Sequence, residues 1–295
     1  MTSWSEPGSK ESTAYFCAKD RKFFVGRRSY VMGILNVTPD SFSDGGQYFG
    51  IDSALEHARA LLEAGADIID VGGESTRPGY TPVTPEEEMN RIVPVISAIA
   101  AEFDVAISID TSKAMVAEAA IKAGASIIND IWGFQHDADI SKVAYETSAG
   151  VILMFNACDK SLLSRSGDIV SDAVSFLKKS CKIAREAGIP EDHIVIDPGI
   201  GFGVSTEESL ALIRGIPTLR QLGYPLLLGP SRKRFIGAVL NDPIESRLIG
   251  TVAACCTGAC LGADFFRVHD VLEVSKALKL TDAILGESVK EKDEC

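Results

Sequence analysis

Short apolar runs that each end at a polar residue recur along this chain, and this pattern constrains the fold more than any other feature. The first run, 31–35, ends at Asn36 and is followed by Thr38 and Pro39, which cannot continue a sheet. Later runs end in the same way at Gly72-Gly73-Glu74, Asp110, Asn129-Asp130 and Asp197. Each run is therefore predicted to be a buried strand with a polar group at its carboxyl end.

Eight such strands are predicted, and helices alternate with them. The remaining predicted strands are 151–154, 225–229 and 264–268. Predicted helices cover 51–64, 85–103, 112–123, 140–147, 169–187, 207–222 and 271–285, with further starts near Ser231 and Pro243. The strands are continuous apolar runs, as expected when both faces are buried. This pattern predicts an α/β fold, a single-domain (β/α)8 TIM barrel, and a doubly wound open sheet is the alternative.

Length and composition are those of one soluble domain. With 295 residues, of which 46% are hydrophobic, the chain can bury a large core. A barrel of residues 30–286 is expected between an N-terminal extension (1–29) and a charged C-terminal tail (287–295). Residues 1–12 lack the apolar core of a signal peptide, and no apolar run approaches the ~20 residues that span a bilayer. We therefore expect a cytoplasmic protein with no membrane partner.

Charge and cysteine usage narrow the possible partners. A formal net charge of −12 argues against nucleic acid, because binding to its backbone needs clustered Lys and Arg. It does not forbid an anionic small substrate, since a cleft can focus a local positive potential against the charge of the whole molecule. The seven cysteines show no CxxC spacing, so we interpret them as packing residues.

The polar residues that end the predicted strands are expected to share one rim of the barrel, where TIM-barrel active sites lie. These candidates are Asn36, Asp110, Asn129, Asp197, Lys233, Arg267 and His269. Asp110 and Asp130 could instead cap the helices that follow them. Asp197 differs, because Pro198-Gly199 follows and no helix is predicted for about ten residues. Its carboxylate is suited to accept paired hydrogen bonds from a flat ligand edge.

Two groups of cationic residues are candidates for binding an anion. Lys233 lies between Arg232 and Arg234 at a predicted helix start, where three cations oppose the helix dipole and favour a bound anion over a solvated charge run. Arg267 and His269 fall on the same side of the last strand by its two-residue period. The Arg267 guanidinium offers a fork that suits phosphate, and His269 can donate a further hydrogen bond.

Seven segments together resemble the dihydropteroate synthase family in sequence and in order. They are 32–46 (MGILNVTPDSFSDGG), 70–79 (DVGGESTRPG), 108–113 (SIDTSK), 127–130 (IIND), 196–203 (IDPGIGFG), 231–233 (SRK) and 267–270 (RVHD). The resemblance runs from about Tyr30 to Leu285. It implies a (β/α)8 barrel, typically a homodimer, that joins 6-hydroxymethyl-7,8-dihydropterin diphosphate to 4-aminobenzoate. The products would be 7,8-dihydropteroate, used in folate biosynthesis, and diphosphate.

The resemblance also implies roles for individual residues. The pterin would contact Asp110, Asn129, Met154, Asp197, Phe202, Gly229 and Lys233. Diphosphate would be held by Asn36, Arg77, Arg267 and His269, with Asn36 also binding Mg2+. The aminobenzoate pocket would include Phe42, Thr76, Arg77, Pro78, Ser231 and Arg234. The implied catalytic residues are Arg267, His269, Lys233, Asp110 and Asp44.

Four positions depart from the usual pattern of the family. Phe155 stands where a His is usual, Val204 where a Lys is usual, Ser209 where an Asn is common, and Arg234 where a Ser often helps to hold the aminobenzoate carboxylate. Arg234 could replace that hydrogen bond with a charge pair, or it could point into solvent. Phe42 and Pro78 match the pattern of sulfonamide-sensitive members, so sensitivity is expected.

Two other functions fit parts of this pattern. A non-catalytic pterin-binding protein would explain the altered Phe155 and Val204. The corrinoid-linked methyltransferases share a pterin-binding barrel, but they lack the Ser75–Pro78 segment and work with a cobalamin module for which this chain has no room. Diphosphate release that depends on 4-aminobenzoate would separate a synthase from a binding protein.

Overall fold

A computed structural model gives the fold of the chain, and it describes residues 15–37, 47–74, 83–159, 161–162 and 165–286. The strands are β1 (Phe16–Ala18), β2 (Arg21–Phe23), β3 (Tyr30–Asn36), β4 (Ile68–Gly72), β5 (Ala106–Asp110), β6 (Ile127–Asp130), β7 (Gly150–Met154), β8 (Ile194–Asp197), β9 (Leu227–Leu228) and β10 (Phe265–Val268). The helices are α1 (Gln47–Glu63), α2 (Pro85–Glu102), α3 (Ala114–Ala123), α4 (Asp139–Thr147), α5 (Ile169–Glu186), α6 (Thr206–Arg214), α7 (Ile216–Arg220), α8 (Arg234–Leu240), α9 (Leu248–Cys260) and α10 (Val271–Leu285).

Strands β3 to β10 form one parallel sheet that closes on itself. Its order is β8-β7-β6-β5-β4-β3-β10-β9, so the strands from β3 to β8 are neighbours in chain order, and β10 lies between β3 and β9. The outer strands β8 and β9 meet through a bridge between Ile196 and Leu226, and the Ile196 N–H donates to the Pro225 carbonyl at 2.9 Å. The predicted TIM barrel is confirmed, and the open-sheet alternative is wrong because the two sheet edges are joined.

The two-residue period of the strands separates the core into two clusters. One set of alternate residues fills the barrel interior at the amino ends of the strands, which we call the base. The inner cluster contains Tyr30, Met32, Ile68, Ala106, Ile127, Ile152, Val195, Leu227 and Phe265. The intervening residues pack outward against the helices. Their outer cluster includes Val31, Ile69, Ile107, Ile128, Val151, Ile194, Leu228 and Phe266.

A short antiparallel hairpin, β1 and β2, covers the base of the barrel. Phe16, Ala18 and Phe23 belong to the inner cluster, and the ring of Phe16 meets Phe265 edge-on with centroids 5.6 Å apart. Phe23 meets Tyr30 in the same way at 5.2 Å. Two strands of three residues are too short to show a periodic pattern, so the sequence did not predict this hairpin.

Element boundaries differ from the predictions where a cap or a proline intervenes. The helix predicted over 207–222 is two helices, α6 and α7, because Pro217 has no N–H to continue the first. Helix α3 begins at Ala114, whose N–H donates to the Asp137 carboxylate at 2.9 Å. Helix α2 begins with a capping box between Thr84 and Glu87, and Pro85 is its first residue. Among the described helices, none is both long and apolar enough to cross a membrane.

Candidate active site

Arg267 on β10 holds two buried carboxylates at the carboxyl ends of the strands, which we call the mouth of the barrel. Its Nε donates to Asp70 Oδ2 at 2.6 Å, and its Nη2 donates to Asp110 Oδ2 at 2.7 Å. Burial works to lower the pKa of Arg267, but the charges of Asp70 and Asp110 outweigh burial and raise it above its ordinary value. Burial also raises the pKa of Asp110, and the Arg267 charge limits that rise.

Lys233 and Asp197 lie next to the same arginine. A methyl group placed on Gly229 would lie 3.9 Å from Lys233 Nζ, 4.0 Å from Asp197 Oδ2 and 3.8 Å from Arg267 Cβ. These three side chains, which come from distant parts of the sequence, therefore surround one small space. Burial lowers the pKa of Lys233 to about 8, although the Asp197 charge opposes that fall. Burial raises the pKa of Asp197, and Lys233 opposes it in turn.

A second small space at the mouth lies beside Gly72. A methyl group on Gly72 would lie 3.6 Å from Asn36 Oδ1 and 4.0 Å from Asp110 Oδ2. The strand register explains this proximity, since Asn36 pairs with Gly72, Gly72 with Asp110, and Asp110 with Asn129. Asn36 is exposed, whereas Asp110 and Asn129 are buried. Oxygen atoms of two side chains therefore border a gap that the missing side chain of Gly72 leaves open.

Apolar and amide groups complete the mouth on the side of β6 to β8. Asn129 Nδ2 donates to Asp70 Oδ1 at 3.5 Å, and the buried Met154 pairs with Asp197 in the register of β7 and β8. The ammonium of Lys233 lies 4.6 Å from the centroid of the Phe202 ring and donates to the Ile200 carbonyl. The structure thus brings the predicted residues of the pterin set to the same end of the barrel.

The chain after β8 folds tightly around Asp197. The Asp197 Oδ1 atom accepts the Gly199 N–H at 2.7 Å, and Gly199 has a φ of +66°. A side chain at this glycine would lie 1.7 Å from the Phe155 carbonyl oxygen, so only glycine fits. This contact fixes one carboxylate oxygen of Asp197.

His269 is positioned by Ser231. The Ser231 Oγ accepts the backbone N–H of His269 at 3.1 Å and lies 2.9 Å from its ring Nδ1. Arg232, which follows, pairs with Asp270 and has a φ of +55°. The predicted charge run is therefore divided: Arg232 forms a surface ion pair, Lys233 faces the mouth, and Arg234 is exposed at the first residue of α8 with no ion pair among the described residues.

The two aspartates that could have been helix caps have different roles. Asp130 accepts the Trp132 and Phe134 N–H groups at 2.9 and 2.7 Å, so it holds the following turn. Burial raises its pKa to about 6. Asp110 instead pairs with Arg267, and the first N–H of α3, that of Ala114, is bound by Asp137. The capping alternative is thus wrong for Asp110, and Asp130 holds a turn rather than a helix, since the next helix, α4, begins only at Asp139.

Two of the departures from the family pattern belong to the outer cluster or pack against it. Phe155 is buried on the outer side of the barrel, with its ring 5.4 Å from that of Phe176. Val204 packs against the outer cluster. Both side chains therefore contribute to packing.

Sequence reasoning missed Asp70, the fully buried partner of Arg267. A signal was present, because Asp70 is a single carboxylate inside the apolar run 68–71 and has the same parity as Ile68, which faces the interior. Buried carboxylates of this kind require a partner. Five predicted site residues lie outside the described residues: Phe42, Asp44, Thr76, Arg77 and Pro78.

The mouth contains carboxylates and an amide, which accept or donate hydrogen bonds. It also contains cations and two apolar side chains. Such a site at the carboxyl ends of a closed barrel is typical of (β/α)8 enzymes, and its groups suit a ligand with a flat polar ring and an anionic group. The family model described as pterin binding enzyme matches residues 32–269.

Known proteins extend this match to nearly the whole chain. It is 51% identical to dihydropteroate synthase of Clostridium beijerinckii over 90% of this chain and 97% of that protein. It is 50% identical to the Bacillus subtilis enzyme over 88% and 90%. A Clostridium difficile dihydropteroate synthase crystallised in the presence of pteroic acid superposes with a TM-score of 0.84 at 46% identity, covering 89% of this chain and 98% of that one. The chain therefore belongs to the dihydropteroate synthase family.

Proposed function

We propose that the barrel mouth condenses 6-hydroxymethyl-7,8-dihydropterin diphosphate with 4-aminobenzoate, giving 7,8-dihydropteroate and diphosphate for folate biosynthesis. The observation that carries this proposal is the convergence of Asp197, Lys233 and Arg267 around Gly229. Xanthomonas albilineans dihydropteroate synthase, with a TM-score of 0.85 and 39% identity over 92% of this chain and 98% of that one, was solved with 4-aminobenzoic acid. The same enzyme was also solved with 7,8-dihydropteroate.

The pterin ring is assigned to the space between β6 and β10. Asp197 accepts hydrogen bonds from the amino group and a ring N–H, and Asn129 supplies an amide beside it. Lys233 donates to the opposite edge of the ring, and Asp110 completes the polar contacts. Met154 and Phe202 pack on the ring faces. Gly229 supports this assignment, because any side chain there would fill the space between Lys233 and Asp197.

The diphosphate is assigned to Arg267, His269 and Asn36, together with Arg77. Two N–H groups of Arg267 are held by Asp70 and Asp110, which fix the plane of the guanidinium. Its Nη1 has no hydrogen-bond partner among the described residues and remains able to donate to phosphate. Ser231 orients His269 for the same anion.

The gap beside Gly72 fits a hard cation. Mg2+ prefers oxygen ligands, keeps several waters and commonly bridges one or two protein oxygens to substrate phosphates. Asn36 Oδ1 and Asp110 Oδ2 border this gap, and Asn36 is exposed to solvent. We assign Mg2+ to Asn36. When bound, the ion would neutralise charge that develops on the departing diphosphate.

The chemistry requires charge stabilisation rather than a strong protein base. The C–O bond to diphosphate breaks with its electron pair on the leaving oxygen, and the amino nitrogen of 4-aminobenzoate forms the new C–N bond and releases a proton to water. Arg267 and His269 stabilise the leaving group. Asp197 and Lys233 hold the ring in place while positive charge develops on it. Asp44, in the first loop, is assigned to the same reacting centre.

The aminobenzoate pocket is assigned to Phe42, Thr76, Arg77 and Pro78, with Ser231 and Arg234 near the carboxylate. Arg234 has no ion pair among the described residues and lies at the amino end of α8, so it can pair with that carboxylate. An unchanged KM for aminobenzoate in Arg234→Ser would contradict this role.

Sulfonamide sensitivity is also proposed for this chain. A Yersinia pestis relative was solved with a sulfonamide drug.

The assembly is proposed to be a cytoplasmic homodimer. Helices α9 and α10 pack against each other and expose large apolar side chains, with Ile249 at 77%, Ile284 at 76% and Leu280 at 64% exposure. These exposed apolar side chains on two adjacent helices support the proposal, since large apolar patches on soluble proteins mark protein–protein surfaces. Residues 30–286 would form the catalytic barrel of each subunit.

A coupled assay tests the function directly. Purified protein is mixed with the pterin diphosphate and Mg2+, and diphosphate release is measured with and without 4-aminobenzoate. We expect release that depends on 4-aminobenzoate and yields one dihydropteroate per diphosphate. Tight pterin binding without turnover would instead establish a binding protein, the alternative that the outward-facing Phe155 and Val204 do not support.

A further inference from the structure

Three side chains with metal-binding groups come together at the base of the barrel. Cys17 lies on β1, and Asp192 and His193 lie in the 3-10 turn Glu191–His193 that precedes β8. The Cys17 Sγ, one Asp192 carboxylate oxygen and one His193 ring nitrogen all lie within 4.8 Å of one another. Among the residues that the structure describes, this is the one cluster of three His, Cys, Asp or Glu side chains this close together.

Strand pairing, apolar packing and a backbone hydrogen bond hold the hairpin that carries Cys17 in place. Cys17 is paired with Lys22 in the hairpin, and its neighbours Phe16 and Ala18 belong to the inner cluster. By the two-residue period, the Cys17 side chain faces away from that cluster, towards the turn. The Lys19 N–H donates to the Ser148 carbonyl at 3.0 Å and fixes the hairpin against the start of β7.

Backbone contacts also fix the turn that carries the other two ligands. The His193 N–H donates to the Pro190 carbonyl at 3.0 Å, which closes the 3-10 turn. The Ala149 carbonyl lies 3.4 Å from His193 Nδ1. A backbone carbonyl beside one ring nitrogen is the usual partner that orients a metal-binding histidine and leaves the other nitrogen for the ion.

We propose that Cys17, Asp192 and His193 bind a divalent cation of the zinc type, with water in the fourth position. Thiolate, imidazole and carboxylate are the protein ligands of Zn2+, and three of them with one open position form a common tetrahedral site. A sulfur–metal bond replaces the S–H bond of Cys17, and the thiol proton passes to solvent. The ion links the hairpin to the start of β8.

This site is independent of the proposed reaction at the mouth. It lies at the amino ends of the strands, whereas Arg267 and Lys233 lie at the carboxyl ends. Its sulfur and nitrogen donors select a softer cation than the oxygen atoms beside Gly72, which suit Mg2+. Filling the base site should therefore stabilise the fold and leave turnover unchanged.

Cobalt titration of the full chain tests the proposal. The protein is stripped with a chelator, and Co2+ is added while absorption is recorded. We expect one equivalent to produce the visible bands of tetrahedral Co2+ and a near-ultraviolet charge-transfer band from thiolate to cobalt. Cys17→Ser should abolish the charge-transfer band. The matched control Cys158→Ser, which removes an exposed cysteine elsewhere, should retain it.

The affinity for Co2+ of a second variant, His193→Gln, also tests the proposal. Loss of an outer partner of a metal site typically costs about 10–100-fold in affinity, so His193→Gln, which removes a direct ligand, should weaken Co2+ binding at least about tenfold. A wild-type protein without the charge-transfer band would overturn the proposal. Retention of the band in Cys17→Ser, or unchanged affinity in His193→Gln, would do the same. Zn2+ should raise the Tm of the wild type and not that of Cys17→Ser.

Discussion

The two ends of the barrel are built from the same strands with opposite chemistry. On β10, Phe265 packs against Phe16 at the base, whereas Arg267, two residues later, is held by buried carboxylates at the mouth. On β4, the same two-residue step leads from Ile68 in the inner cluster to the buried Asp70. On these two strands the inward face therefore changes from packing to polar function over a single period.

This contrast separates stability from function along the barrel axis. Apolar burial at the base contributes to the free energy of unfolding without touching a ligand. Buried charges at the mouth cost desolvation energy and are retained only with partners such as the pairs of Arg267. We expect base substitutions to change unfolding and leave kinetics intact, and mouth substitutions to change kinetics first.

Arg267→Ala should have the largest effect. Removing a donor that stabilises developing negative charge costs about 10²–10³-fold in turnover, and we expect kcat/KM to fall by about 10³-fold. The variant also leaves Asp70 and Asp110 without their cation, so unfolding should become easier by about 3 kcal/mol. Steady-state kinetics and urea unfolding measure both effects. Arg267→Lys, which keeps the charge but not the fork, should recover stability more than turnover; a fall below tenfold in a folded Arg267→Ala protein would contradict the role.

Phe265→Ala should produce the largest effect confined to the base. The ring contacts Phe16, Phe23 and Tyr30, and truncation of a buried Phe costs about 3 kcal/mol or more. Urea unfolding should show this loss, while KM for both substrates remains that of the wild type in the folded protein. Phe265→Leu is the matched control and should lose less. A large change in KM with normal stability would break the distinction between the two ends.

Lys233→Ala should weaken binding of the pterin diphosphate by about 2 kcal/mol, roughly 30-fold, since a hydrogen bond from a charged group is worth that much. The pKa of Lys233 is lowered to about 8, so affinity in the wild type should fall as pH rises through 8. The contribution of Lys233 to the free energy of unfolding has the opposite pH dependence. Between about pH 8 and the ordinary lysine pKa of 10.5, the unfolded chain keeps the proton that the folded chain has lost, so this contribution rises with pH.

Competition binding across pH 6.5–9.5, a range of about 1.5 units either side of the lowered pKa, measures the effect of Lys233. The alkaline loss of affinity should be absent in Lys233→Ala. In Lys233→Arg it should move out of this range, because arginine stays protonated. An alkaline limb that persists in Lys233→Ala would assign it to another group.

Two glycine substitutions, one at each end of the barrel, should have the smallest effects and separate stability from catalysis most clearly. Gly150→Ala at the base would place a methyl group 2.5 Å from the Phe16 ring, so unfolding should become easier by about 1–2 kcal/mol. Gly72→Ala at the mouth meets atoms no closer than 3.6 Å, so stability should change by less than about 0.5 kcal/mol. Its methyl group would obstruct the gap assigned to Mg2+, and kcat/KM should fall about tenfold, or ~1.4 kcal/mol. Equal stability losses in the two variants would contradict the contrast.

Much of the mouth follows from local sequence rules. Parallel strands end at one rim, and side chains alternate with a period of two, so Asn36, Asp110, Asn129 and Asp197 were predicted to share that rim. The structure places them there. The same parity would have placed Phe155 on the outer side, because it follows the inward Met154.

What the sequence determined by itself is the strand period, and with it the barrel and the polar rim. Only the tertiary structure decided which polar groups are partners: Asp110 pairs with Arg267 across 157 residues, while Asp130, equally suited as a cap, holds its own turn. The hairpin at the base likewise depends on rings from distant strands. Strand period is a local steric property, whereas ion pairing and aromatic packing depend on distances that exist only after the barrel closes.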